Sequence, residues 1–341
     1  MSEVILNVNN LEVSFWTRSG EVQAVRGVSY ELKRGEVLGI VGESGSGKTV
    51  SCMALLRLLG QNAVIKNGSA VFDGLDLLKL DVGQLNKIRG DRIAMIFQDP
   101  MTCLNPLMKV GDQVAEVLLE HNLGLGKAAA KKHVIDLFSQ ARIPTPEKRY
   151  GSYPHEFSGG MRQRAMIAMA LACNPDIIIA DEPTTALDVT IQAQIVRLLK
   201  NLQDERNISI IFITHDLGVV AEICTKIMVM YGGRILEEGS AEEIYERPSH
   251  PYTLGLMAAV PRVDQDREKP LDPIPGSPPD MLSPPEGCPF CPRCPYARNI
   301  CLDGMPPEYT ISPSHKSRCF MHDAGAPVEN NPFSPVKGAA L

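Results

Sequence analysis

The eight residues GESGSGKT, from Gly42 to Thr49, combine three glycines with a lysine and a threonine at the spacing G-x-x-x-x-G-K-[ST]. Glycines let a backbone wrap closely around phosphates with its N–H groups inward, and a following helix adds a positive dipole end. Lys48 can then neutralise the β- and γ-phosphates of a nucleotide, while the Thr49 hydroxyl can ligate Mg²⁺. A flexible Gly/Ser linker is the alternative, but the apolar VLGIV before the motif and the helical pattern after it favour a phosphate-binding loop. The residues expected to hold the phosphates are Gly42, Ser44, Gly45, Ser46, Gly47, Lys48 and Thr49.

Two acidic residues follow a second apolar stretch, IIIADEP. Asp181, at the end of a strand, can bind the Mg²⁺ shell, commonly through water, and Glu182 is then placed to polarise an attacking water. An acidic N-cap for the next helix is the alternative. Together with GESGSGKT, the pair favours nucleotide hydrolysis.

A third feature is FSGGMRQR, residues 157–164. Ser158 is a plausible N-cap, and Gly159 and Gly160 open a helix, which makes this helix start a second anion site. Because residues 42–49 already hold phosphates for this chain, the second site indicates nucleotide that is held by a partner. An ordinary capped helix is the alternative.

The elements that must position these residues alternate between strands and helices. Before residue 98 the pattern predicts a hairpin of LEVSF and AVRGVSYEL, the buried strand VLGIV, a helix ending at Gly60, and the strand RIAMIFQ. Residues 99–173 show helical spacing and no strand, and residues 175–245 return to alternation, which implies a largely parallel sheet covered on both faces. After about residue 246 proline and charge predict an extended connector with little regular structure.

Composition limits the classes of protein that fit. The 341 residues suffice for about two domains. A net charge of −6 argues against a nucleic-acid binder, although it leaves a local basic patch open. The N-terminal MSEVILNVNN lacks the pattern of a signal peptide, and no apolar run approaches about 18 residues. We expect a protein that does not span a membrane by itself but can dock on one.

These motifs, in this order over about residues 4–240, resemble those of ATP-binding cassette subunits. GESGSGKT resembles Walker A, IIIADE resembles Walker B, and FSGGM is similar to the signature loop usually written LSGGQ. Gln98 in IFQDP resembles the Q-loop glutamine, Asp188 in TALD the D-loop, and His215 in ITHD the switch histidine. Phe157 and Met161 depart from the usual signature, and the second change removes a polar group near the partner's nucleotide.

The resemblance implies a RecA-like α/β P-loop core with an antiparallel β edge, an inserted helical subdomain and a cysteine-rich C-terminal extension. The expected boundaries are residues 1–98 and 174–245 for the core, 99–173 for the helical subdomain and 246–341 for the extension. It also implies two cassettes in antiparallel contact with two ATP molecules between them. Each ATP would be held by Walker A of one cassette and by Ser158, Gly159 and Gly160 of the other, near Asp188.

Roles for individual residues also follow from the resemblance. Gln98, Glu182 and His215 would act in hydrolysis, although His215 taken alone could equally be a core or capping residue. Thr49, Gln98 and Asp181 would surround Mg²⁺. The adenine ring would stack on an aromatic residue of the first strand, Phe15 or else Trp16, with core packing of Phe15 as the alternative.

Two further stretches narrow the resemblance. DPMTCLNP, residues 99–106, is close to the DPMTSLNP of cassettes that serve dipeptide, oligopeptide and nickel importers, and HPYTLGLMAAVP, residues 250–261, is similar to an element of the same group. The group implies ATP-driven uptake of di- or oligopeptides at the cytoplasmic face of the membrane. Its partners would be a second cassette, identical or paralogous, two permease subunits contacted by the helical insert and the segment after Gln98, and, indirectly, an extracytoplasmic peptide-binding protein. Nickel uptake stays open, as does a soluble cassette in DNA repair or translation, although those usually carry two cassettes or a coiled coil.

Nine cysteines divide into two sets. Cys52, Cys103, Cys173 and Cys224 are scattered among apolar neighbours and are expected to be buried in a reducing compartment. The other five crowd into the tail, where zinc, with His315 or His322 as a substitute ligand, and an iron–sulfur cluster are the candidates. Disulfides are not expected, because the sequence shows no export signal. The peptide-importer resemblance favours a [4Fe–4S] cluster, with zinc as the rival and Cys291 spare; the matching ligands are Cys288, Cys294, Cys301 and Cys319.

Overall fold

The computed structural model describes residues 3–121, 124–185, 187–259, 273–323 and 331–333. In chain order the strands are β1 (Val4–Thr17), β2 (Gly20–Lys33), β3 (Val37–Val41), β4 (Ala63–Phe72), β5 (Leu75–Asp76), β6 (Ile93–Ile96), β7 (Ile177–Asp181), β8 (Ser209–Thr214), β9 (Lys226–Tyr231), β10 (Arg234–Ser240), β11 (Tyr309–Thr310) and β12 (Lys316–Ser317). The helices are α1 (Lys48–Leu55), α2 (Val82–Asn86), α3 (Pro100–Cys103), α4 (Val110–His121), α5 (Lys127–Gln140), α6 (Pro146–Tyr150), α7 (Gly159–Ala170), α8 (Val189–Arg206), α9 (Leu217–Ile223), α10 (Ala241–Glu246), α11 (Pro251–Ala258) and α12 (Ile300–Asp303).

The larger sheet has the strand order β11-β12-β10-β9-β3-β8-β7-β6 and is parallel from β9 to β6. Strands β3, β7 and β8 are buried along their whole length, as expected for a sheet with both faces covered. Neighbouring residues such as Ile40 and Val41 belong to two different apolar clusters. Since parallel strands end at the same edge of a sheet, the segments after β3, β6, β7 and β8 lie along one edge, where ligands bind in open α/β sheets. Those segments carry the phosphate loop, Gln98, Glu182 and His215.

The smaller sheet is antiparallel, with the order β2-β1-β4-β5. Strands β1 and β2 are longer than LEVSF and AVRGVSYEL, so that the predicted hairpin loop shrinks to the turn at Arg18 and Ser19. The sequence pattern does not predict β4 and β5. Leu11, Val13 and Phe72 of this sheet pack into the same apolar cluster as Ile40 of β3. This packing fixes the antiparallel sheet over one face of the parallel sheet.

The first helix ends earlier than the sequence predicts. Helix α1 stops at Leu55 with Leu56 as its C-cap, so the expected end at Gly60 is wrong. Arg57 adopts a left-handed backbone with φ of 50°. The guanidinium of Arg89 donates to the carbonyls of Leu56 and Arg57 and thereby satisfies groups that helix termini leave without partners.

Between β6 and β7 the described residues form five helices, α3 to α7, and no strand. Val114, Val134, Leu137, Phe138 and Ile167 are buried together at the centre of this segment. The helices are therefore held by a shared apolar core.

The C-terminal tail docks on the cassette. Strand β12 pairs with β10 and thereby extends the large sheet. The buried carboxylate of Glu237 on β10 accepts hydrogen bonds from the Ser249 backbone N–H at 2.5 Å and from the Thr253 hydroxyl, and it lies 2.7 Å from His315 Nε2. Residues 273–287 form turns without a helix or strand, in the manner predicted for the connector, and residues 260–272 lie outside the described residues. One buried acid thus ties β10, α11 and the tail together.

Candidate nucleotide site

The loop from Gly42 to Gly47 lies between β3 and α1 and folds around the side chain of Lys48. The ammonium of Lys48 donates to the carbonyls of Gly42 at 2.7 Å and Glu43 at 2.9 Å. Burial lowers the pKa of Lys48, and the nearby carboxylates of Glu182, Asp181 and Glu43 oppose this effect. The buried hydroxyl of Ser46 has no hydrogen-bond partner among the described residues. A buried cation and an unpaired hydroxyl inside a loop of backbone N–H groups are what a phosphate group would satisfy.

Thr49 and Asp181 are brought together as the sequence predicts. The Thr49 hydroxyl donates to Asp181 Oδ1 at 2.8 Å, and Asp181 is 4% exposed. Burial raises the pKa of Asp181, and the hydrogen bond from Thr49 acts in the opposite direction. A hydroxyl beside a carboxylate is a donor pair that Mg²⁺ prefers, so these two residues fit the expected metal ion.

Glu182 is the centre of the predicted catalytic group. Its carboxylate accepts hydrogen bonds from Gln98 Nε2 at 2.7 Å and from the Thr185 hydroxyl at 2.9 Å, and it lies 3.5 Å from His215 Nδ1. Its backbone has φ of 44°, a left-handed conformation that is uncommon for non-glycine residues. Thr185 was not predicted, and its only signal in the sequence is a position three residues after Glu182. Gln98 and His215, both expected to act in hydrolysis, therefore lie at the carboxylate of Glu182, the third such residue, on the edge of the sheet that carries the phosphate loop.

The signature segment is built on the start of a helix. Ser158 caps α7 by accepting a hydrogen bond from the Met161 backbone N–H at 3.3 Å, as predicted. A side chain at Gly160 would place its Cβ 2.8 Å from Ile191 at the start of α8, so glycine permits the close approach of the two helices. Asp188 caps α8 through the Ile191 backbone N–H at 2.9 Å. Among the described residues, no hydrogen bond or ion pair joins Ser158 or Gly160 to the phosphate loop of the same chain.

The two aromatic candidates for stacking on adenine differ in exposure. Phe15 is half-buried and packs against the apolar cluster beneath the antiparallel sheet. Trp16 is 53% exposed and has the Lys66 ammonium 5.7 Å from its ring centre. The choice of Phe15 stays a prediction.

The five tail cysteines lie around one small cavity. All five line one cavity of about 20 Å³, which has room for about one water molecule. Burial raises the pKa of Cys288 and Cys319 to about 12 and that of Cys294 to about 11, which disfavours their thiolate forms. Among the described residues, no group of three or more His, Cys, Asp or Glu side chains is arranged to hold a metal ion. The structure therefore does not support the expected [4Fe–4S] cluster on Cys288, Cys294, Cys301 and Cys319, and it gives zinc no better site.

The four scattered cysteines follow the expectation only in part. Cys52 and Cys224 are buried, and Cys173 is half-buried. Cys103 is exposed, so its predicted burial is wrong. Its helix, α3, is four residues long and contributes no buried residue.

The loop Gly42–Gly47 before a helix, the Ser158-capped start of α7, and a carboxylate beside Gln98 and His215 at the edge of a parallel sheet are the features of ATP-binding cassettes. Residues 25–185 match the ABC transporter family, and residues 236–301 match the family described as oligopeptide/dipeptide transporter, C-terminal region. A solved dimeric structure of the ATP-binding cassette MJ0796, bound to ADP and Pi, aligns with a TM-score of 0.63 and 30% identity over 69% of this chain and 98% of that one. The predicted fold class is thereby confirmed.

Similar curated proteins cover nearly the whole chain. The oligopeptide transport ATP-binding protein OppD of Salmonella typhimurium is 53% identical over 94% of this chain and 94% of its own length. The dipeptide transport ATP-binding protein DppD of Lactococcus lactis is 51% identical over 95% of this chain and 93% of its own length. The chain belongs to the ABC transporter family of ATP-binding subunits. In the described part of the chain, no helix is long and apolar enough to cross a membrane.

Proposed function

We propose that this chain is the ATPase subunit of an importer of di- and oligopeptides, in which a pair of cassettes drives uptake through two separate membrane subunits. The hydrolytic part rests on the Glu182 carboxylate, with Gln98 at 2.7 Å and His215 at 3.5 Å. The peptide part is supported by the names of OppD and DppD and by the match of residues 236–301 to the oligopeptide/dipeptide transporter region.

In the proposed reaction, Lys48 leaves the loop carbonyls and neutralises the β- and γ-phosphates, which the loop N–H groups hold from the other side. Thr49 and Asp181, with Gln98, would hold Mg²⁺, which would supply charge stabilisation at the transferring phosphoryl group. Glu182 orients the attacking water and accepts its proton, and His215 contacts the γ-phosphate.

We assign the second half of each nucleotide site to another cassette. Ser158, Gly159 and Gly160 begin α7, and no described hydrogen bond joins them to their own phosphate loop. Beside them, at the start of α8, Val189 is 82% exposed next to Asp188, which suits a surface that a partner covers. The partner is a second copy or a paralogue, and it would receive the N–H groups of α7 at the phosphates of its own nucleotide.

Contact with the membrane subunits is assigned to the helical segment. An apolar groove of about 250 Å³ runs along β6, α3, α4 and α7, with Phe97, Leu104 and Met169 in its walls. Met101 and Leu107, in the stretch that follows Gln98, are 62% and 85% exposed. We assign residues 1–98 and 174–245 to the ATP-binding core, 99–173 to this docking subdomain and 246–341 to the extension, with the protein peripheral at the cytoplasmic face.

The hydrolytic assignment is tested with Glu182→Gln in the complete complex. Losing a positioned general base should lower the ATPase rate on the order of 10²–10⁴-fold while nucleotide binding is kept. Asp204→Asn, the same acid-to-amide change at an exposed position near the C-terminal end of α8, is the control for handling and assembly. Normal hydrolysis by Glu182→Gln would remove this residue from its role.

The substrate assignment is tested by uptake into vesicles that contain the whole complex. Peptides of two to five residues should stimulate ATP hydrolysis and accumulate inside. Stimulation by nickel alone would establish the nickel alternative with the same cassette chemistry, and failure to co-purify with membrane subunits would favour a soluble ATPase.

We also infer that the tail cysteines bind a metal cofactor, with [4Fe–4S] ahead of zinc. The support is the convergence of five thiols on one cavity, since thiolates are the usual ligands of both. The cavity would have to open, because its volume of about 20 Å³ is far below that of a cluster. Elemental analysis after anaerobic purification should give about four irons per chain with broad absorption near roughly 400 nm. One zinc and no iron would identify the rival, and neither metal would refute the inference.

A further inference from the structure

Glu43, the second residue of the phosphate loop, is held by the C-terminal tail. Arg293 donates to both of its carboxylate oxygens, with Nη1 at 2.6 Å from Oε2 and Nη2 at 3.0 Å from Oε1. The backbone N–H of Glu43 donates to the Tyr252 hydroxyl at 2.8 Å. Two residues from beyond the cassette, separated from Glu43 by more than 200 positions in the chain, thus fix both its side chain and its backbone.

Arg293 is itself locked in place. Its side chain is 6% exposed and also donates to the Tyr231 hydroxyl at 3.0 Å and to the carbonyls of Pro275 at 2.8 Å and Ile274 at 3.1 Å. A two-pronged Arg–carboxylate pair is the stronger and more directional kind of ion pair. The Arg293–Glu43 pair therefore has a fixed, two-pronged geometry, in contrast to the exposed ion pairs of the surface.

The position of Glu43 makes this contact relevant to nucleotide binding. Glu43 is the only acidic residue within GESGSGKT. Its carbonyl accepts a hydrogen bond from the Lys48 ammonium at 2.9 Å, and its carboxylate is one of the charges that act on that lysine. An unpaired carboxylate here would repel the phosphates of ATP and compete with them for Lys48, whereas a paired one is neutralised.

We propose that Arg293 is a positioning residue for nucleotide binding: by pairing with Glu43 it neutralises the one carboxylate of the phosphate loop, so that the docked tail sets the affinity for ATP. The proposal rests on the function assigned above to residues 42–49. It gives the tail a role at the nucleotide site that does not depend on whether its cysteines bind metal.

The test compares the dissociation constant of MgATP for the full-length chain and five variants, in low salt. Arg293→Ala should bind about tenfold more weakly, because the partly buried carboxylate of Glu43 is left unpaired beside the phosphates. Adding Glu43→Gln to Arg293→Ala should restore affinity to within about threefold of Glu43→Gln alone, since the repulsive charge is gone. Arg293→Lys, which keeps the charge but not the two-pronged geometry, should fall between wild type and Arg293→Ala. Arg318→Ala, which breaks an exposed tail ion pair with Glu308, is the matched control and should bind like wild type.

A second readout separates the proposal from a loss of tail structure. In the complete complex, Arg293→Ala should raise KM for ATP much more than it lowers kcat, and added salt should shrink the defect. Wild-type affinity in Arg293→Ala would overturn the proposal, and so would a double variant that stays as weak as Arg293→Ala. Absence of MgATP binding by the wild-type chain would instead overturn the assignment of the loop.

Discussion

Gly42→Ala is a sharp test of the shape of the phosphate loop. Gly42 has φ of 152°, and a Cβ at this position would lie 2.1 Å from the backbone carbonyl oxygen of Met230. Side-chain carbons essentially never approach another heavy atom closer than 3.0 Å, and both the loop and β9 are backbone that cannot rotate away. The loop must therefore move by nearly an ångström.

The cost combines two effects. A left-handed or mirror-region backbone costs a non-glycine residue about 1–3 kcal/mol, and forcing extra volume into a packed site costs about 1–3 kcal/mol more. If even 2 kcal/mol of this total falls on the nucleotide-bound state, the affinity for MgATP drops by about 30-fold.

Gly45→Ala is the matched control. Gly45 also has a positive φ, of 79°, but its Cβ would meet nothing within 4 Å, so only the backbone penalty of about 1–2 kcal/mol applies. Isothermal titration with MgATP, accompanied by thermal unfolding without nucleotide, should show a loss at least about tenfold greater for Gly42→Ala than for Gly45→Ala. Equal losses, or wild-type binding by Gly42→Ala, would refute the steric argument.

Three further predictions concern the docked tail. Burial tends to raise the pKa of Glu243, but hydrogen bonds, led by that from Ser312, outweigh it and hold the pKa at about 2, below the unfolded value. The stabilisation by ionised Glu243 is therefore present above pH 4.5 and is lost as pH falls towards 2. Ser312→Ala should lower the free energy of unfolding in urea at pH 7 more than at pH 3, and an equal loss at both pH values would contradict this. Burial lowers the pKa of His250 to about 3, so this histidine is protonated in the unfolded chain at a higher pH than in the folded one, and the free energy of unfolding should fall as pH drops from about 6.5. His250→Asn should make the free energy of unfolding less dependent on pH below about 6.5, and an unchanged pH dependence would rule His250 out as the cause. Glu237→Gln should cost about 2–3 kcal/mol in urea unfolding at pH 7, because an amide cannot accept from all the donors around this buried carboxylate, including the Thr253 hydroxyl; a change below about 0.5 kcal/mol would contradict the network.

The arrangement of the loop and of the acidic pair can be predicted from the sequence because each is local. The loop around Lys48 and the acidic pair after β7 each need one strand and one turn, and their patterns lie within a few residues. The meeting of Gln98, Glu182 and His215 follows from the parallel sheet, since parallel strands end at a common edge. Thr185 was not predicted, because a hydroxyl residue three positions after Glu182 can also serve in helix caps and turns.

Features set by distant contacts were not predictable in the same way. Helix α1 ends at Leu55, although the local sequence continues with a helical pattern, and the carbonyls of Leu56 and Arg57 that follow it are bound by Arg89, more than 30 residues later. The tail provides the larger example, since the pairing of Arg293 with Glu43 spans 250 positions and has no local signature. Cysteine spacing likewise indicates possible ligands but not how their side chains are arranged.

The central claim is that ATP is hydrolysed at a site shared between two cassettes. The most direct measurement is the ATPase rate of this chain when light scattering shows it to be a monomer, compared with its rate in the complete complex with its partner cassette. Because the signature residues Ser158, Gly159 and Gly160 must come from the partner, the monomer should be slower by about 10²–10³-fold, the usual loss when one group that stabilises the transition-state charge is removed. A monomer that hydrolyses ATP at the full rate of the complex would contradict the shared site.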